Sequence, residues 1–321
     1  MSTTVLVIGG AGYIGSHVAH ELCDQGYSVV ILDNLSTGFS ENIDKRADFI
    51  KSSFTNKNVL EKILKKIDCV IHLAALKAAG ESMEYPEKYS KHNINNSIDL
   101  INLCINHNVK KFIFSSTAAV YGTPEYLPVD ENHPLNPINY YGFTKYVIEK
   151  QLSWYNQIKG LNIAFLRYFN AAGYDIGGRI TKKEKNPQNL LPIIMEVASG
   201  DKKSLNVYGN DYNTSDGTCL RDYIHVNDLA VGHLKALEKL SYEDKIITNL
   251  ATGKANSVLK VIKTTEQITG KKIKFNFTDR RIGDPESLYS TSKNAKDLLN
   301  WEPEFSNLKT IIKSMWNIYK K

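Results

Sequence analysis

The chain has 321 residues, 42% of them hydrophobic and 23% charged, a length that builds one large domain or two closely joined ones. Its net charge of +6 comes from lysines spread along the chain, as in Lys62-Ile63-Leu64-Lys65-Lys66, with no basic block interleaved with aromatics, which argues against a nucleic-acid partner. No run approaches the ~20 apolar residues of a membrane span, the start lacks the regions of a signal peptide, and Cys23, Cys69, Cys104 and Cys219 have no metal-ligand spacing, so a cytoplasmic protein with buried thiols, no metal and no membrane contact is expected.

In chain order, Val5-Leu6-Val7-Ile8 is an apolar run of strand length. Gly9-Gly10-Ala11-Gly12-Tyr13-Ile14-Gly15 follows directly, before a helical pattern over 16–25. Glycines at 9, 12 and 15 let the backbone turn tightly, admit a pyrophosphate and pack the helix against the sheet, while the helix amino terminus offers unpaired N–H groups to an anion. A second run, Val29-Val30-Ile31-Leu32, ends in Asp33, at the ~20-residue offset where an acid binds the adenosine ribose hydroxyls. That carboxylate repels a 2′-phosphate, so the expected cofactor is NAD and not NADP.

Phe49-Ile50, Cys69-Val70-Ile71-His72-Leu73, Lys111-Phe112-Ile113-Phe114 and Ile163-Ala164-Phe165-Leu166 read as further strands, alternating with helical stretches near 59–66, 86–106 and 141–158. Such alternation predicts an α/β fold, a Rossmann-type doubly wound parallel sheet with ligands at the carboxyl ends of its strands. Beyond Asn170 the pattern changes, and 173–189 is polar and glycine-containing. Ile246-Ile247-Thr248-Asn249-Leu250 is placed to rejoin the main sheet. The expected organisation is a dinucleotide-binding domain over 1–172, with a return at about 222–253, and a smaller interleaved substrate lobe over 173–321.

The chemistry concentrates in two stretches. Tyr141 and Lys145 are one helical turn apart in Tyr-Gly-Phe-Thr-Lys, so phenol and ammonium share a face and the cation favours phenolate. A free tyrosine loses its proton near pH ~10, and such a neighbour is what makes it a usable acid/base near neutrality. Tyr140 is rotated off that face. Ser115, Ser116 and Thr117 lie at the end of an apolar strand and add hydroxyls. Together these residues suit redox chemistry at a sugar-type hydroxyl. His72 and His225 read as structural, hydrogen-bonded histidines.

These blocks together resemble the extended short-chain dehydrogenase/reductase family, and more narrowly its UDP-glucose (UDP-galactose) 4-epimerases. The resemblance runs over almost the whole chain. It takes in the glycine block, Asp33-Asn34, Leu76-Lys77-Ala78-Ala79-Gly80-Glu81-Ser82, the stretch from Phe114 to Gly122, Tyr141 to Lys145, and Arg167-Tyr168-Phe169-Asn170. It continues through Asp216-Gly217-Thr218, Arg221-Asp222-Tyr223-Ile224-His225-Val226 and Arg280-Arg281-Ile282-Gly283-Asp284.

The resemblance implies a cycle in which Tyr141, as phenolate, takes the proton of the sugar 4-hydroxyl while hydride leaves C4 for the nicotinamide of NAD. The 4-keto sugar then turns over and hydride returns to its other face. Thr117 stands where the family has its catalytic hydroxyl, with Ser116 as the fallback, and Lys145 holds the nicotinamide ribose and depresses the tyrosine pKa. Cofactor contacts are implied for Gly9, Gly12, Tyr13, Ile14, Gly15, Asp33, Asn34, Ser53, Phe54, Leu73, Ala74, Ala75, Asn93, Ser115 and Tyr168, with Lys77 at the phosphates. UDP-sugar contacts are implied for Thr117, Tyr141, Asn170, Asn189, Leu190, Asn206, Tyr208, Arg221, Arg281, Asp284 and Leu288. The two arginines suit a diphosphate, because planar guanidinium forks bind phosphate oxygens in pairs. A homodimer is implied through helices 86–106 and 141–158, whose Ile94, Ile98, Ile101, Ile105, Val147 and Ile148 exceed one buried stripe.

Three features narrow the reaction. Related dehydratases and decarboxylases carry Asp or Glu after the catalytic hydroxyl, whereas this chain has Ala118 and Ala119, so a 4-keto intermediate has no equipped route but reduction. Ser53-Phe54 replaces the Asp-Ile or Asp-Val pair that many relatives place at the adenine, and Gln188 stands where a second asparagine is common. Leu288 occupies a position where versions restricted to glucose and galactose carry tyrosine, which leaves room for a 2-acetamido group. The alternatives are a UDP-N-acetylglucosamine or UDP-uronate 4-epimerase and, from another class, a non-catalytic NAD-sensing binding protein.

Overall fold

The computed structural model describes residues 3–281 and 283–320; Ile282 of the arginine block lies outside the described residues. In chain order the strands are β1 (Thr4–Ile8), β2 (Ser28–Asp33), β3 (Asp48–Lys51), β4 (Cys69–His72), β5 (Lys111–Thr117), β6 (Asn162–Tyr168), β7 (Asn170–Ala172), β8 (Leu205–Tyr208), β9 (Leu220–His225), β10 (Lys245–Leu250), β11 (Ala255–Ser257), β12 (Phe275–Thr278) and β13 (Ser287–Leu288). The helices are α1 (Tyr13–Asp24), α2 (Lys57–Ile63), α3 (Ala79–Glu84), α4 (Pro86–Tyr89), α5 (Asn96–Asn106), α6 (Tyr140–Lys159), α7 (Leu190–Ser199), α8 (Val226–Lys239), α9 (Val258–Thr269), α10 (Lys293–Leu299) and α11 (Leu308–Tyr319).

Seven strands form one parallel sheet in the order β10-β6-β5-β4-β1-β2-β3. The order reverses around β1, which puts the ligand crevice at the carboxyl ends of β1, β4 and β5. Strand side chains alternate between faces, and the sheet uses both. Val5 and Val7 join Val18, Leu22 and Leu229 in one core, while Leu6 and Ile8 join Leu100, Ile101, Ile148 and Leu152 in another. Each such side chain contributes about 1.5–3 kcal/mol on burial. A third core forms where α7, α9 and α11 meet β8 and β9. Among the described residues no helix is long and apolar enough to cross a membrane.

Two helices differ from the sequence expectation in a way that matters for the site. α1 starts at Tyr13, inside the glycine block, because Gly12 takes an extended conformation and acts as its cap. The stretch 86–106 is helical throughout but widens at Ser90–Asn95 into a π-helical turn. There Asn93 turns inward and clasps the backbone of Leu76 from both sides, donating to its carbonyl and accepting from its N–H, each at 2.9 Å.

Candidate active site

Two connected hollows open at the carboxyl edge of the large sheet. The larger, of about 1250 Å³, runs along the glycine turn and past Asp33, Asn34, Ser53, Phe54, Ala74 and Lys77. The smaller, of about 260 Å³, is walled by Thr117, Tyr141, Lys145, Tyr168 and Asn170 on one side and Asn189, Arg221, Asp284 and Leu288 on the other. Tyr13, Ile14, Leu73, Ala75 and Ser115 line both.

The glycine turn fits a dinucleotide. A Cβ on Gly15 would fall 2.1 Å from the Gly9 carbonyl oxygen, so only glycine lets α1 begin this close to the turn. No side chain caps the α1 amino terminus, which leaves its N–H groups free to face an anion. Asp33 closes the far side. Its carboxylate accepts from the Ala11 N–H at 3.0 Å and the Leu35 N–H at 2.7 Å, bracing the turn while lone pairs remain for ribose hydroxyls. Gly38 and Phe39, which the sequence reading passed over, lean on the same turn, with the Phe39 N–H donating to the Ala11 carbonyl at 3.1 Å. Their signal, a glycine a few residues after the acid, is too common to stand out.

At the smaller hollow, Asn139 caps α6 by accepting from the Gly142 N–H at 2.9 Å, and a Cβ on Gly142 would lie 2.5 Å from the Ala119 carbonyl oxygen. That glycine therefore lets the first turn of α6 lie against the end of β5 and brings Tyr141 close enough for the Thr117 hydroxyl to favour its ionised form. Thr117 itself ends β5, and its Oγ1 accepts from the Ala119 N–H at 3.2 Å. One turn along, Lys145 is buried, donates to the Ser115 carbonyl at 2.7 Å and lies 4.7 Å from the Phe114 ring centroid. Burial pushes the Tyr141 phenol up to about 12, opposed by the neighbouring Thr117 hydroxyl, and brings the Lys145 ammonium down to about 7, opposed by the charge of Glu149. The expectation that Lys145 sets a low tyrosine pKa is thus reversed in the protein alone, where desolvation dominates. Tyr140 bonds Ser90 at 2.6 Å and stands apart, as its position on the helix predicts.

On the opposite wall Arg221 is paired with Asp284 at 3.2 Å; Arg281 lines the larger hollow, its guanidinium 4.3 Å from the ring centroid of Tyr208, which itself lies outside both hollows. Asn170 donates to the Asp222 carbonyl at 3.0 Å. Leu288 packs in a small apolar cluster with Ala118, Val120, Tyr121 and Phe169 while facing the hollow.

Several sequence expectations change. The Ser116 hydroxyl donates to Glu149, so the fallback catalytic hydroxyl is occupied as a structural donor. Asn93 is buried and spent on Leu76 and on Thr144, at 3.2 Å, which makes it a brace for the loop after β4 and removes it from the cofactor's contacts. Leu190 packs against the third core, and Asn206, exposed on β8, lies outside both hollows. Lys77 reaches the larger hollow but is ion-paired with Glu184. His72 and His225 are buried and bonded to Ser97 at 3.0 Å and Ser314 at 3.1 Å, and burial lowers both to about 3. Among the described residues no group of three or more His, Cys, Asp or Glu is arranged to hold a metal ion.

Comparison with known proteins agrees with this geometry. Residues 5–251 match the model of the NAD dependent epimerase/dehydratase family. A UDP-glucose 4-epimerase of Halalkalibacterium halodurans is 42% identical over 320 residues, covering 99% of this chain and 96% of that protein. The crystal structure of UDP-glucose 4-epimerase from Brucella ovis in complex with NAD superposes with a TM-score of 0.95 at 40% identity, covering 99% of this chain and 98% of that one. That of Bifidobacterium longum UDP-glucose 4-epimerase in complex with NAD+ and UDP gives 0.94 at 38% identity, covering 98% of each chain. The chain belongs to the NAD dependent epimerase/dehydratase family. It is an enzyme, and its cofactor is NAD.

Proposed function

We propose that this chain interconverts UDP-glucose and UDP-galactose, with the sugar ring in the smaller hollow and NAD along the glycine turn. The reaction is NAD-dependent 4-epimerisation of a UDP-hexose. The observation that carries the residue assignment is the Thr117-Tyr141-Lys145 group in the wall of the smaller hollow, with Ala118 and Ala119 after Thr117 and no acid at either position. NAD, when bound, supplies the acceptor that takes hydride from C4 and gives it back.

The residues divide the remaining work. Tyr141 takes the 4-hydroxyl proton and returns it on the other face, Thr117 donates to the 4-oxygen, and Lys145 keeps the phenolate paired and bonds the nicotinamide ribose. Asp33 and the start of α1 hold the ribose and the diphosphate. Arg221, Arg281 and Asp284 hold the UDP, with Tyr208 beside Arg281 and with Asn170 and Asn189 on the sugar side. In this reading 1–172, with the return at 222–253, carries NAD and 173–321 carries the UDP-sugar, in reducing cytoplasm that suits the free, buried Cys23, Cys69 and Cys104. Purified protein, without added NAD, is to be given a panel of UDP-sugars; no interconversion of UDP-glucose and UDP-galactose would overturn the reading.

Leu288 sets the expected substrate range. During the cycle the 4-keto ring must turn over, so the hollow must clear any C2 substituent throughout the rotation. Leucine in place of tyrosine gives space for a 2-acetamido group, and we expect UDP-N-acetylglucosamine to be epimerised as well. Leu288→Tyr should remove that activity while most action on UDP-glucose survives, since crowding penalises the larger substrate first. Equal loss of both activities, or no acetamido activity in wild type, would show that Leu288 is not the gate.

A homodimer belongs to the same proposal. Ile101 and Ile148 fill the core, but α6 carries a second apolar stripe of Phe143, Val147, Trp154 and Ile158. Trp154 and Ile158 are 61% and 65% exposed, beside the half-buried Ile94, Ile98 and Ile105 of the neighbouring helix. Such a stripe fits a second copy packed helix to helix. The mass in solution at micromolar concentration should be that of two chains, and Trp154→Lys should shift it toward one. A monomeric wild type rules this out.

A further inference from the structure

Glu149 repeats, one turn beyond Lys145, the spacing that joins Tyr141 to Lys145. It is 3% exposed, yet its carboxylate is fully engaged. Arg167 donates through Nε to Oε1 at 2.9 Å and through Nη2 to Oε2 at 2.6 Å, and Ser116 donates to Oε1. Arg167, also 3% exposed, stands opposite Ser116 in the β5–β6 ladder, and its Nη1 donates to the Tyr121 hydroxyl at 3.1 Å. Replacing a buried ion pair by apolar groups is often neutral or stabilising, so stability alone is a weak reason for this one. Lys145 supplies a better reason, because its own partners are a carbonyl and an aromatic face.

We propose that Glu149 is a positioning residue for the proton that Tyr141 and Lys145 share, its carboxylate biasing that proton toward Lys145 and so toward the phenolate form of Tyr141. The proposal rests on the epimerase reading above. Between the ionisations of lysine and phenol the pair holds one proton, either as phenol and amine or as phenolate and ammonium. Only the second form can accept the proton of a sugar hydroxyl. Burial favours the first form on both residues, and the charge of Glu149 opposes it at the lysine.

The other groups around the lysine offer no such help. His72, from β4, is held neutral by burial. Tyr168, from β6, has its phenol pushed far up by burial, and its hydroxyl is hydrogen-bonded to His233 at 3.2 Å. Arg167 is cationic and is paired off by Glu149 itself. Thr117 and Ser115, from β5, carry no charge.

Glu149→Gln preserves shape and removes the charge. Lys145 then loses its proton more readily, so the two-proton form of the pair survives only at lower pH. The acid limb of the kcat profile should move down by about one unit, and kcat should fall roughly tenfold. KM for the UDP-hexose should change less than about twofold, since binding groups are untouched. Glu149→Asp, which keeps the charge, should restore the wild-type limb. Glu149→Gln with Arg167→Met leaves no unpaired charge, serves if the single variant fails to fold, and should show a smaller shift in the same direction, since the Arg167 cation goes with the carboxylate. The Lys145 ammonium, followed by the 13Cε chemical shift of that residue, should titrate about one unit lower in the Gln variant, a readout that holds even if turnover is absent and the epimerase reading fails. An unmoved limb and an unmoved Lys145 titration in a folded variant, with only a lower Tm, would make Glu149 a structural brace and overturn the proposal.

Discussion

Tyr141→Phe should lower turnover by at least ~100-fold, the scale of a lost general acid/base, while UDP binding and the fold survive. The separation between the two effects follows from how the residue is held. Its backbone N–H donates to Ser82 at 2.9 Å, and the register of α6 comes from the Asn139 cap and the buried face around Ile148 and Leu152, none of which uses the phenol oxygen. Deleting that oxygen therefore leaves the anchoring of the helix intact. The arginines that would hold the diphosphate lie across the hollow and are unaffected. Turnover with UDP-galactose, UDP affinity by calorimetry and Tm would be measured together. Near-normal turnover would mean that another group takes the proton. Lost turnover with lost UDP affinity would mean that Tyr141 builds the site instead of acting in it.

What could be read in the sequence and what could not divide along contact distance in the chain. The seven strands of the main sheet, the glycine turn, the one-turn spacing of Tyr141 and Lys145 and the structural histidines follow from short-range periodicity or fixed spacing, and the structure has them. Side-chain roles set by distant partners did not follow. Ser116 looked free because its partner Glu149 lies on another element, and Lys77 looked like a free cation because Glu184 is 107 positions away. Asn93 faces inward only because the helix widens around it, a local distortion that no periodic pattern announces. The Tyr141 phenol belongs with these: spacing reports the neighbouring charge but not the depth of burial, and burial pushes the phenol up. Glu149 was within reach of sequence reasoning, since a carboxylate at the next helical step on an otherwise apolar face is an anomaly in itself.

Gly15→Ala should both destabilise the protein and strip it of NAD. The added methyl would sit 2.1 Å from the Gly9 carbonyl oxygen and 2.8 Å from the Gly10 Cα, so backbone, which has no rotamer to yield, must move. Gly9 cannot absorb the shift, being at φ +82° with its own notional Cβ 2.9 Å from the Ala74 nitrogen. α1 must therefore lift from β1, at the cost of about 1–3 kcal/mol or more that overpacking carries. For a chain of this size that is a fall in Tm of roughly 1.5 °C per kcal/mol. The same movement displaces the uncapped N–H groups at the start of α1 and breaks the Asp33 bond to Ala11, so the diphosphate and ribose contacts go together. NAD released from denatured protein, counted per chain, should drop severalfold below wild type. Gly80→Ala, where a Cβ meets nothing within 4 Å, is the control for stability and should leave Tm unchanged or slightly raised. A Gly15→Ala protein that melts with wild type and retains its NAD would show that the turn is not where the cofactor sits.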